Sequence, residues 1–385
     1  MAARSRRRHN RPMGYPGTRP TRRLNRLIAL VAVGLSLSAC GGLGYYAHVA
    51  RGQGELLLHQ RAVSRVIADP STDPALARRL ELAQQARQFA TRRLGLPDNR
   101  SYTRYVDLGR PYVVWNVFAT PRYSVDAVRH CFPIAGCVAY RGYFDEARAR
   151  SEAARLKQAG DDVYVGGVSA YSTLGWFADP ILSSMLRWDD DELAGTIFHE
   201  LAHQLIYVRD DSAFNESFAS FVQEQGLKEW RASRGLSPPL EQAQAKEDGF
   251  TRLVLDLRDR LRKAYAKGGG ETALEAAKQA EIAAFRERYR QWREAHWPDD
   301  HRYDAWVAAP INNARLLPFG LYDQWKPAFA ALFRQAEGQW PLFYADVRRL
   351  ARQPKDERDR ALRRLAAGSA EASAKEPVGE GRDAS

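Results

Sequence analysis

A chain of 385 residues, 45% hydrophobic and 27% charged, is long enough for one large domain or two ordinary ones, and its composition excludes a disordered or fibrous protein. Its net charge of +12 does not point to nucleic acid, because nine arginines with no lysine and no acid fall in residues 1–39, and the remainder carries only +3. No nucleic-acid partner is expected.

The arginine-rich start runs into the uncharged stretch Leu27 to Ala39 and then Leu37-Ser38-Ala39-Cys40, a secretory signal that resembles a lipobox. Cys40 is therefore expected to become a lipidated N-terminus, with residues 1–39 removed as signal peptide and 40–52 left as a tether. The lipid would hold the body on a membrane facing the periplasm. Gly41 follows Cys40 where an aspartate would favour retention, so the outer membrane is preferred to the inner. The alternative is an uncleaved anchor, since uncharged residues continue to Ala50, broken only by His48. Met13 competes with Met1 as the start.

Beyond the tether, Gln53 to Leu94 has helical periodicity, broken around Pro70 to Pro74 and stopped by Gly95 and Pro97. Pro111 to Pro121, PYVVWNVFATP, is β-branched and aromatic and reads as the best strand. Cys131 and Cys137 in CFPIAGC are an even pair in an oxidising compartment, and Pro133 and Gly136 supply the turn for a short disulfide loop. CVAYRGYF and DVYVGGVSAYS read as two further strands around a helix from Phe144 to Gln158. The second of these offers an edge for an extended peptide, with Gly166 and Gly167 permitting close approach of a backbone.

From Asp189 the pattern turns helical, with Asp189, Asp190, Asp191 and Glu192 as capping carboxylates. Helices are expected over Ser212 to Trp230, Gln242 to Lys267, Glu271 to His296, Tyr322 to Glu337 and Trp340 to Arg352. Residues 366–385 are small and polar and read as a disordered tail. The fold class is α+β: one domain over 53–365, with a small mixed sheet and helices to about 188 and a mostly helical half after it.

The chemistry lies in Phe198 to Tyr207, FHELAHQLIY. His199 and His203 are one helical turn apart on one face, so both rings can address one cation, and Glu200 is placed to hold a water instead. A working zinc site needs a third protein ligand and an open position. Glu216 in FNESFASFVQE supplies it, thirteen residues after His203 and across a turn short enough to reverse the chain. Glu224 is the rival, roughly 12 Å further along the same helix. Asp210 and Asp211 read as turn and cap residues, and Asn215 as a capping or outer group.

HELAH followed by NESFA resembles the gluzincin metallopeptidases. By that likeness His199, His203 and Glu216 bind one Zn²⁺, Glu200 is the general base, the fold is zincin-like and the substrate is a peptide. YVVWNVFATP, CFPIAGC, YRGYF, AYSTLGWFADP, FHELAHQ, FNESFA and NNARL, together with the lipobox, resemble a bacterial lipoprotein family called predicted aminopeptidases. The likeness also implies a downstream tyrosine as oxyanion donor, which favours Tyr322 over Tyr171. Two features depart from the gluzincin pattern: the interval from His203 to Glu216 is short, and no strand matches the motif that reads a substrate's free amine. The expected activity is peptide hydrolysis, with exopeptidase and endopeptidase both open. The alternative is a non-catalytic zinc-containing envelope scaffold, against which the intact Glu200 argues.

Overall fold

The computed structural model describes residues 44–132, 136–170, 172–173, 177–237, 241–319 and 324–375. It divides into a unit Met1–Gln53, in which 44–53 are helical, and a unit Gly54–Ser385. No helix among the described residues is long and apolar enough to cross a membrane.

The larger unit begins with β1 (Arg61–Ala62), α1 (Val63–Ala68) and α2 (Pro74–Arg92). Pro74 opens α2 where its missing N–H costs nothing, and the Asp73 carboxylate accepts from Ala75 N at 2.8 Å. There follow β2 (Arg104–Val106), β3 (Val114–Pro121), β4 (His130–Phe132), β5 (Gly136–Val138), β6 (Tyr140–Tyr143), α3 (Glu146–Gln158), β7 (Asp161–Val168) and β8 (Ile181–Leu182).

Instead of the single small sheet expected, these strands form three. β2 lies between β1, antiparallel, and β8, parallel. β3 is the centre of an antiparallel sheet ordered β6-β3-β7, in register from Val114 opposite Val168 to Pro121 opposite Asp161. β4 and β5 form a separate hairpin. The run CVAYRGYF therefore divides at Ala139, its first part entering the hairpin and its second the sheet. β3 is buried along most of its length, with Phe118 against Ala314 and Leu317, which accounts for its unbroken apolar sequence.

The second half is helical, as expected. α4 (Asp190–Leu205) starts at Asp189, whose carboxylate accepts from Glu192 N at 2.7 Å, and α5 (Ser212–Ser233) starts at Asp211, which accepts from Phe214 N at 3.2 Å. α6 (Glu241–Ala266) and α7 (Glu271–His296) pack around Phe250, Leu257, Ile282 and Phe285. α8 (Asp304–Ala308), α9 (Lys326–Gln335), α10 (Trp340–Ala351) and α11 (Lys355–Lys375) complete the chain. The helix expected from Tyr322 thus begins at Lys326. α11 runs through Lys375, well into the segment expected to be a disordered tail; its alanine content favours helix.

Two groups of aromatic contacts fix the helix pair α4 and α5. Phe198 of α4 meets Phe89 of α2 and Trp230 of α5, while Phe214, Phe218 and Phe221 of α5 pack on Phe329, Phe333 and Phe343 of α9 and α10. At the start of α5, Arg358 of α11 bonds the Asp211 carboxylate at 2.6 and 3.0 Å, the two groups only 4% and 3% exposed. Arg358→Met, which leaves that carboxylate only the exposed Lys355 Nζ, 3.6 Å away, as counter-charge, is expected to cost about 3 kcal/mol in urea unfolding. The double replacement Arg358→Met with Asp211→Asn should cost clearly less; equal losses would show that the stranded charge is not the cause.

Candidate metal centre

The i, i+4 spacing on α4 sets His199 and His203 ring to ring, with their Nε2 atoms 3.1 Å apart. From α5, Glu216 Oε2 lies 3.3 Å from His199 Nε2 and 3.6 Å from His203 Nε2. Donors bound at about 2.0–2.1 Å to one tetrahedral ion stand about 3.3–3.4 Å from each other, so the three atoms are spaced as the edges of such a site. Both rings are buried, at 8% and 7% exposure. The three residues are grouped so that they could hold a metal ion.

The partners of the outer ring atoms support this orientation. His199 Nδ1 meets Gln223 Oε1 at 3.0 Å; a carbonyl can only accept, so Nδ1 carries the hydrogen and Nε2 keeps its lone pair for the centre. His203 Nδ1 is buried without a hydrogen bond, so that ring is oriented by packing and by what its Nε2 meets at the centre. Burial pushes the Glu216 carboxyl upward, but His203 and His199 outweigh it and hold it well below the usual carboxylate range. Burial lowers His203, and the Glu216 carboxylate outweighs that in turn, leaving the imidazole above its ordinary value. A half-buried carboxylate facing two buried imidazoles calls for a cation between them, either protons or a metal.

The turn between the helices sets this spacing. Asn215 closes it from inside, its Oδ1 accepting from Val208 N and its Nδ2 donating to Val208 O, both at 2.7 Å. Asn215 is thus a brace on the turn, and Asp211 is the cap expected of it. Asp210 turns the other way, accepting from Cys137 N at 2.6 Å. The rival Glu224 points elsewhere and pairs with Lys326 at 2.5 Å. Glu200 is half-buried on α4, beside the donor set and not part of it.

Other expected features fall variously. Cys131 and Cys137 form a disulfide across β4 and β5. Cys40, Tyr171 and Tyr322 lie outside the described residues. β7 is an edge strand with Gly167 exposed; the Tyr112 ring stands where a Cβ of Gly167 would, and further along the edge Asn312 Nδ2 donates to Val163 O at 3.0 Å.

With this geometry in view, a family model described as "Putative aminopeptidase" matches residues 44–362. The chain belongs to that family. The match embraces both helices of the centre and all three small sheets before them. The chain matches no curated protein and no solved structure.

Two groups near the centre carried no sequence assignment. Asp179, 1% exposed, accepts from Thr173 Oγ1 at 2.7 Å and from Gln204 Nε2 at 3.1 Å, and Gln204 is one turn beyond Glu200 on α4. Its main chain accepts from Tyr102 N at 2.6 Å, and Tyr102 holds a left-handed backbone, φ 62°, with its hydroxyl buried and unbonded. Tyr207, in the turn, has its hydroxyl pushed above the usual value by burial and then by Glu216 and Asp210. The only sequence signals were adjacency: Gln204 follows the second histidine, and Tyr207 follows four residues after it.

Burial is the main reason the Asp179 carboxyl rises to about 6; the Thr173 hydrogen bonds oppose this and the Glu200 charge adds to it. The folded state therefore holds this proton to higher pH than the unfolded chain, whose value is near 3.8. The resulting stabilisation is full below pH 3.8 and lost as pH rises through 6, a fall of about 3 kcal/mol. Unfolding curves for the wild type and Asp179→Asn across pH 4 to 7 are expected to differ by that slope. Parallel curves would assign the titration to another group.

Proposed function

We propose that the chain is a zinc-dependent peptide hydrolase tethered to the cell envelope through Cys40. One observation carries the proposal: the His199, His203 and Glu216 donors stand at tetrahedral spacing with Glu200 beside them and outside the set. Two imidazoles and one carboxylate suit zinc, and three protein ligands leave a position open, as catalytic sites do and closed structural sites do not. Zinc, when bound, supplies a Lewis acid that brings the pKa of water near 7. The zincin-like reading of the fold belongs to the same proposal.

The chain's own groups then divide the work. Glu200 accepts the proton of the attacking water and returns it to the leaving amine. Gln223 keeps His199 in the tautomer that faces inward. Asp179, through Gln204, steadies the turn of α4 that bears Glu200. The oxyanion donor is assigned between Tyr322, favoured by chain order, and Tyr207, which shares the field of Glu216. The family description supports a peptide substrate, and the leader sequence supports the lipid tether.

Glu200→Gln is expected to retain zinc at wild-type stoichiometry while turnover of a mixed peptide library falls about 10²- to 10⁴-fold. Metal analysis and mass spectrometry of the products check both halves. Stepwise removal of single residues from the amino end would support an aminopeptidase, and internal cuts an endopeptidase. Equal product from wild type and variant would reduce the protein to a metal-holding scaffold.

A further inference from the structure

The disulfide hairpin has no part in the hydrolysis above, yet it touches the turn on which the centre depends. Cys131 and Cys137 face each other in a ladder of three residue pairs, too short to persist without a crosslink. From its second strand, Cys137 N donates to Asp210 Oδ1 at 2.6 Å, and the Cys137 carbonyl accepts from Arg129 Nη2 at 3.1 Å. Gly136 before it has φ 74°, and a Cβ there would collide with the Asp210 carboxylate and the Arg209 chain. The hairpin is therefore seated on the turn with no room for a side chain at the contact.

Asp210 itself is in the left-handed region, φ 64°, which aspartate enters more readily than most side chains and which here turns its carboxylate to the hairpin. The next residue, Asp211, caps α5, and Glu216 sits in the second turn of that helix. A chain of contacts thus runs from the disulfide through Gly136 and Cys137 to Asp210, then to the cap and the third ligand.

We propose that the hairpin β4–β5, closed by Cys131–Cys137, is a positioning element for Glu216, and that Asp210 is the residue through which it acts. This inference rests on the metal reading above. It assigns to the disulfide the metal affinity of the site in addition to the stability of the chain. Cys131 is exposed, so the bond is open to a thiol reagent from solvent.

The test is zinc affinity, measured on the full chain by competition with a chromophoric chelator, for wild type, Cys131→Ser/Cys137→Ser and Asp210→Ala. Each variant is expected to bind zinc about 10-fold more weakly, the scale seen when groups supporting a ligand are removed. Placing the cysteine pair in a Glu216→Ala background should produce no further loss, because the hairpin then has no ligand to position; a merely structural role would give additive losses. Circular dichroism reports whether each variant folds. If the serine variant does not fold, Asp210→Ala, which keeps the disulfide, decides alone. Affinity within two-fold of wild type in the folded variants, or additive losses, would overturn the proposal. A wild-type chain that takes up no zinc would remove the metal reading instead, and this inference with it.

Discussion

A carboxylate from one helix pressed against two imidazoles from another is the constraint around which the molecule is organised. Glu216 Oε2 stands 3.3 and 3.6 Å from the two Nε2 atoms, and the rings are buried. Such a group is expensive to bury unless a positive charge completes it, and its donors are useful only while their spacing holds to a few tenths of an ångström. The surroundings are arranged to keep both helices from shifting: an aromatic layer behind α5, Phe198 wedged between α2 and α5, and a turn held by Asn215, Asp211 and Asp210.

The placement of polar groups follows from the same requirement. α4 is apolar around most of its circumference, so it sits in the interior and each hydrophilic side chain on it needs a partner there. His199 finds Gln223, and Gln204 finds Asp179 and Asn99. Asp179 remains a buried acid with a carboxyl near 6, raised by burial and further by the charge of Glu200. Buried acids with raised values beside a donor set of this kind are more common at working sites than in structural cores.

The parts of the sequence that declared themselves were those whose signal is local. The HELAHQ helix, the caps at Asp189 and Asp211, the strand around VVWNVFATP and the CFPIAGC pair each depend on neighbours within a few residues, and the structure has them close to the expected positions. Glu216 was legible because the turn before it is short. The groups that escaped are joined by contacts across long stretches: Asp179 to Gln204, Arg358 to Asp211, Cys137 to Asp210 and Tyr112 over Gly167. Asp179 was visible as part of AYSTLGWFADP, but nothing in that stretch indicates which helix its carboxylate will meet. The extension of α11 escaped for a different reason, since small residues suit a tail and a helix alike.

The buried pair of Arg358 and Asp211 joins a helix near the end of the chain to the cap of the helix that bears Glu216. The cap of α5 therefore draws its buried counter-charge from a residue 147 positions along the chain. Until that helix docks, the Asp211 carboxylate keeps the Phe214 N–H of its own cap but lacks the guanidinium that balances its charge. The start of α5, and with it the spacing of Glu216 from the two rings, is in this way tied to the docking of a helix distant in sequence.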